Sequence, residues 1–147
     1  MSMLTRKRIL TLIPHEGVMC LLDTAEHWSA TEIICQSARY ASPDNPLRQA
    51  DGTLAGACLI EIAAQAMALH GRLCGADDAP PPRPGLLVSL RDVTLHTGIV
   101  ESTLGPLRIA ANRLAEDQRG ASYEFIVDAL GRRLVEGRAM VLFAASA

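Results

Sequence analysis

Glu61 and Gln65 are the two polar interruptions in the apolar stretch Gly56-Ala-Cys-Leu-Ile-Glu-Ile-Ala-Ala-Gln-Ala-Met-Ala-Leu-His-Gly71. If the stretch is helical, a spacing of four puts both side chains on one face. An ionised carboxylate in such surroundings is costly unless it is paired, protonated or used, and use in chemistry is the reading adopted here. A Glu in an apolar pocket has its pKa raised toward neutrality, which suits it to proton transfer. Other chemistries lack their residues. The four histidines, His15, His27, His70 and His96, show no H-x-x-x-H pair, and Cys20, Cys35, Cys58 and Cys74 show no C-x-x-C spacing, so no metal site is expected. The cysteines lie in apolar segments and read as small core residues. No Gly-rich phosphate loop precedes a helix and no G-x-S-x-G elbow occurs, which argues against nucleotide chemistry and the usual serine hydrolases.

The element that must position Glu61 is the stretch itself. At 100° per residue, Ala57, Ala64, Ala68 and Gly71 form a narrow stripe of small residues, and Leu59, Ile60, Ile62, Met67 and Leu69 cover most of the rest. A helix apolar all round belongs inside other structure, and the small stripe admits another backbone. Upstream, Thr5 to Leu12 reads as a short amphipathic helix with Thr5 as N-cap, stopped by Pro14. Met19–Asp23 with Ala25–Trp28 reads as a first strand and Glu32–Arg39 as a second, turned at Ser29-Ala30-Thr31, and this hairpin should cap one sheet edge. Residues 41–52 form a loop by their turn residues, and the run Ala79-Pro-Pro-Pro-Arg-Pro-Gly85 is a stiff exit from the helix. From Leu86 the period changes to that of strands, over 86–97, 106–116, 121–130 and 133–144, punctuated by Gly98, Gly105, Gly120 and Gly131. Tyr123, Phe125 and Val127 should pack inward. The layout is α+β, one helix against a sheet, in a single domain spanning 1–147.

The motifs carry a resemblance. Gly-Ala-Cys-Leu-Ile-Glu-Ile-Ala-Ala-Gln at 56–65 resembles the central-helix motif of β-hydroxyacyl-(acyl carrier protein) dehydratases of the FabZ type, and Leu12-Ile-Pro-His-Glu-Gly-Val-Met-Cys-Leu-Leu-Asp23 resembles that family's entry segment. The implied fold is the hot dog, a long central helix wrapped by a curved antiparallel sheet, assembled as dimers or larger oligomers. The implied reaction removes water from a β-hydroxyacyl thioester carried by phosphopantetheine on an acyl carrier protein, and no cofactor is implied. By resemblance Glu61 gives the proton to the departing hydroxyl, with Gln65 orienting it or packing beside it. Helix N-terminal amides near Gly56 and Ala57 would polarise the thioester carbonyl, the glycine letting substrate approach the backbone.

In the FabZ-type relatives the base is a histidine in a loop nine residues ahead of the motif glycine, and here that position is Leu47; residues 45–56 contain no histidine. The Pro-His entry, the Asn-Pro-Leu loop and Gln-Ala-Met-Ala-x-His-Gly together resemble a divergent branch, the ApeP-type hot-dog dehydratases of aryl polyene pathways. His15, after Pro14, is the expected replacement base, with bracing of the turn after the first helix as its alternative. Asp44 and Asn45 on the loop are the next candidates and possible substrate contacts. His70 should face away from Glu61 and be dispensable for chemistry. Three readings are open: a dehydratase, a thioesterase in which Glu61 or Asp44 activates water, and a non-catalytic subunit stabilising an active homologous dehydratase.

Charge narrows the partners further. Charged residues make up 20 % of the chain and the formal net charge is -2, with Arg6-Lys7-Arg8 as the one basic cluster, read as a solvated helix face, so neither nucleic acid nor an anionic membrane is an expected partner. No signal peptide or membrane span is read from the sequence, and a cytoplasmic location is expected.

Overall fold

Alternation of apolar and polar residues after residue 85 resolves into four long strands, and the apolar stretch before it into one long helix. The computed structural model describes residues 3–15, 17–74 and 85–143. In chain order the elements are β1 (Leu4–Thr5), α1 (Arg6–Ile9), β2 (Thr24–Trp28), β3 (Glu32–Ser37), α2 (Cys58–Leu73), β4 (Gly85–Leu95), β5 (Leu107–Glu116), β6 (Gly120–Ala129) and β7 (Arg132–Phe143). The strands form one antiparallel sheet in the order β1-β2-β3-β5-β6-β7-β4. The early hairpin thus lies toward one edge, as its turn residues imply, while β4 forms the other edge.

α2 packs against β3, β5 and β6. Its Leu59, Ile62, Ala63, Ala66 and Leu69 join Ile33, Cys35, Ile109, Ala111, Tyr123, Phe125 and Val127 in one buried cluster. The inward set on β6 is the predicted one, with Glu124 exposed between buried neighbours. Truncating a fully buried leucine such as Leu69 to alanine in such a cluster costs about 2–5 kcal/mol, so α2 is held by packing rather than by helix propensity.

Several local expectations need correction. The first helix is a single turn, and Thr5, though at its N-cap, makes no side-chain capping bond. One reason lies at Thr11, whose hydroxyl donates to the Arg8 carbonyl at 2.7 Å and competes with the backbone ladder before Pro14 ends it. Residues 19–23 are not strand. Their backbone groups are taken by side chains: Gln65 bonds the Met19 carbonyl and the Leu21 amide, and Arg6 bonds the carbonyls of Cys20 and Leu22. Pairing begins only at Asp23, whose amide donates to Gln36 at 2.8 Å. The long helix starts at Cys58, later than the apolar pattern. Cys20 and Cys35 are buried as expected, but Cys58 is partly exposed and Cys74 exposed. The predicted proline-rich exit, up to residue 84, lies outside the described residues.

Candidate active site

Gly56 precedes α2 and its amide donates to the Gly98 carbonyl at 2.9 Å. A Cβ on Gly56 would collide with the Thr97 carbonyl, so glycine is required here by the chain's own 97–98 turn. The expectation that Gly56 opens the backbone to a substrate is therefore corrected: its amide and its missing side chain are both used internally. Cys58, Leu59 and Ile60 donate in turn to the carbonyls of Ala55, Gly56 and Ala57. Ala57 is exposed, and its amide has no hydrogen-bond acceptor among the described residues. It is the open donor of this helix end.

One turn on, the Glu61 Oε1 meets His15 Nε2 at 3.2 Å and accepts from Gln65 Nε2 at 3.3 Å. Oε2 meets no donor among the described residues, and the Glu61 side chain retains 37 % of its exposure. The hydrogen bond from His15 is the largest influence on this carboxyl and, with Gln65 and the His15 charge, holds it below the usual carboxylate range despite partial burial. The expected upward shift is thus corrected: donors aimed at the charged form outweigh desolvation. With an ionised acceptor, the proton in this contact belongs on His15 Nε2. His15 Nδ1 is buried without any partner among the described residues.

Gln65 is fully buried, and its orientation is fixed by what surrounds it. Its Oε1 accepts from the Leu21 amide at 2.9 Å, and its Nε2 donates to the Met19 carbonyl at 2.8 Å as well as to Glu61. Orienting Glu61 and bracing a neighbouring segment are one arrangement here. Asp44 and Asn45 make no hydrogen bond to Glu61, His15 or Gln65 among the described residues. Asn45 is buried, donating to the Tyr40 carbonyl at 2.9 Å and accepting from the Leu47 amide at 2.9 Å, so it shapes the loop. Asp44 is exposed beside a shallow depression lined also by Val18, Leu21, Arg39 and Ser42, and no hydrogen bond among the described residues joins it to Glu61.

His70 makes no contact with Glu61 and is held elsewhere, as expected. His70 is fully buried, its Nδ1 at 2.8 Å from the Tyr123 hydroxyl and its Nε2 at 2.9 Å from the Ser29 carbonyl. His27 and His96 pair with Glu32 and Glu136 near the surface. No group of three or more His, Cys, Asp or Glu among the described residues is arranged to hold a metal ion. None of the described helices is long and apolar enough to cross a membrane.

One long helix against a seven-stranded antiparallel sheet, with an acid and a histidine meeting on its N-terminal half, defines a hot-dog protein of the kind found among dehydratases and thioesterases. Residues 7–146 match the ApeP-like family, described as ApeP dehydratase, and the chain belongs to that family. The dehydratase heterocomplex ApeI:P from Xenorhabdus doucetiae contains a chain 26% identical to this one, matched over 94% of this chain and 91% of that one with a TM-score of 0.83. A thioesterase from Haemophilus influenzae shares the fold at 15% identity, over 95% of this chain and 90% of that one, with a TM-score of 0.65. No match was found among curated proteins.

Proposed function

We propose that this chain dehydrates a β-hydroxyacyl thioester carried by phosphopantetheine on an acyl carrier protein, with Glu61 moving the protons and His15 holding its carboxylate rather than acting as the base expected from the sequence. The observation that supports this reading most is the contact between His15 Nε2 and Glu61 Oε1, 3.2 Å long, at the open end of α2. It replaces a loop histidine the chain lacks. Because Glu61 rests as a carboxylate, it enters the reaction as a base and not as the acid that the resemblance implies. Its unencumbered Oε2 takes a proton from the α-carbon while the Ala57 amide stabilises charge developing on the thioester oxygen. The carboxyl so formed then protonates the β-hydroxyl as the C–O bond breaks. The double bond forms, water leaves, and the pair returns to its starting state. His15 holds Oε1 throughout, so Oε2 is presented in one direction. Incubating the protein with a β-hydroxyacyl carrier protein should produce the enoyl thioester, and Glu61→Gln should not; release of free thiol instead marks the hydrolytic alternative.

A second reading has its own support, that of a subunit completed by a second hot-dog chain. On β4, Leu87, Leu90 and Leu95 pair with Val141, Ala139 and Val135 and so share the sheet face that carries the core. Yet they remain 36%, 42% and 46% exposed, because α2 covers that face farther along the sheet, over β3, β5 and β6, and does not reach the β4 edge. An edge strand with a continuous apolar face fits a second copy or a homologous dehydratase. Ala64, Ala68 and Gly71 on α2 are likewise only partly covered. The likeness to a chain of the ApeI:P heterocomplex supports a homologous partner. Sedimentation at micromolar concentration should show no monomer, and turnover that appears only after a homologue is added would favour the subunit reading.

A further inference from the structure

We infer that Arg6 is a positioning residue for the Glu61–His15 pair, acting through the segment 17–22 that follows His15. Arg6 lies in the first turn of α1, in a cluster whose composition suggests nothing beyond a solvated face. Its guanidinium is committed elsewhere: Nη1 donates to the carbonyls of Cys20 at 2.6 Å and Leu22 at 3.0 Å, and Nη2 to that of Gly17 at 2.9 Å. No carboxylate pairs with it among the described residues. Only a planar fork with several fixed donors reaches three carbonyls at once, and lysine, a point charge on a flexible stem, does not reproduce it.

The same segment is gripped by Gln65, through Met19 and Leu21. Arg6 and Gln65 therefore bond alternating groups of one irregular stretch, and Gln65 also bonds Glu61. Gly17, at φ +53 with open space where a Cβ would be, turns the chain in a conformation that other residues resist. His15, two positions earlier, makes no backbone hydrogen bond among the described residues and touches the site through its ring. Its place relative to Glu61 is consequently set by how the following segment is anchored. Removing Arg6 strips the Cys20 carbonyl of its donor, leaves the Gly17 carbonyl with the Cys20 amide at 3.2 Å and the Leu22 carbonyl with the Cys20 thiol at 3.8 Å, and leaves Gln65 as the remaining long-range side-chain grip on the segment.

This inference rests on the acid–base reading of Glu61 and His15, and its test separates the two. The readout is the titration of the Glu61 carboxyl by carbon NMR in the full chain, with kcat and KM measured alongside on a β-hydroxyacyl carrier protein. In Arg6→Ala the carboxyl should titrate higher, toward its ordinary value of 4.5, because the His15 hydrogen bond is the largest cause of its lowering. kcat should fall by about tenfold or more, as misplaced catalytic groups do, with KM little changed. Arg6→Lys should recover part of both effects. An Arg6→Ala protein with wild-type Glu61 titration and kcat, altered only in melting temperature, overturns the inference. So does a failure of Ala, Lys and Gln variants alike to fold, which makes Arg6 a folding residue. If the wild type shows no dehydration, the reaction reading fails while the carboxyl titration still decides the role of Arg6.

Discussion

The two ends of α2 each hold a histidine, and they are built on opposite terms. At the C-terminal end His70 is fully buried, both ring nitrogens have partners, and burial pushes its pKa down from the ordinary value of 6.5. At the N-terminal half His15 is partly exposed, one nitrogen meets Glu61 and the other has no partner among the described residues. A satisfied buried group contributes to holding the fold, because every donor and acceptor removed from water has been replaced. A site that leaves Glu61 Oε2, the Ala57 amide and His15 Nδ1 open forgoes that stabilisation, and protein structures tolerate such omissions mainly where ligands bind. The difference supports the N-terminal half of α2 as the reacting end in the proposed function.

The comparison breaks most readily at Glu61. Glu61→Gln keeps the shape of the side chain and its bond to Gln65, yet removes the base, so turnover should fall by about 10²–10⁴-fold with the melting temperature nearly unchanged. An unaffected rate would make the open end as structural as the closed one. His15→Ala should also reduce kcat, by a smaller factor, since Oε2 stays present but less well aimed; a wild-type rate in a folded His15→Ala protein removes His15 from the site. The converse experiment is His70→Ala, which takes the imidazole from the Tyr123 hydroxyl, leaves the Ser29 carbonyl with the Cys74 thiol at 3.6 Å, and opens a cavity. It should lower unfolding stability by roughly 2–4 kcal/mol in chemical denaturation while kcat per folded molecule stays within a factor of about two. Loss of turnover out of proportion to unfolding would put His70 in the chemistry after all.

The histidines also show how far residues can be read without coordinates. The fold was legible because α2 and the four long strands carry different hydrophobic periods, and their ends were bracketed by Gly98, Gly105, Gly120 and Gly131. The segment 19–23 carries the apolar pattern of a strand, whereas its backbone partners are Arg6 and Gln65. Long-range side-chain bonds leave no period in a sequence. The pairing of Glu61 with His15 could be anticipated by elimination, but the direction of the Glu61 pKa could not. Burial is visible in composition; the two donors that overrule it come from distant residues and from the next turn. The role of Gly56 is hidden for a similar reason, since the 97–98 turn that needs its missing side chain is remote in sequence.

The smallest effect, and the sharpest on the comparison, is the pH dependence of stability. The folded-state pKa of His70 lies below its ordinary value of 6.5, chiefly by burial, with Arg113 adding to the lowering while the Ser29 carbonyl and Glu116 oppose it. Tyr123 and Cys74 also face the ring, and neither carries charge in this window, burial raising the Tyr123 hydroxyl to about 12. The unfolded chain therefore binds this proton more readily than the folded one. Stability is undiminished above pH 6.5 and declines below it, by at most about 1.4 kcal/mol per pH unit, until the folded-state pKa is reached. Glu61 behaves in a lower window: its folded pKa is depressed from 4.5, so its contribution is present above that value and is lost as pH falls through the folded pKa. Denaturant unfolding between pH 7.5 and about 5 should therefore show a slope in the wild type that is absent in His70→Gln and intact in Glu61→Gln. A slope that survives His70→Gln would assign the transition to another group and dissolve the contrast between the two ends of α2.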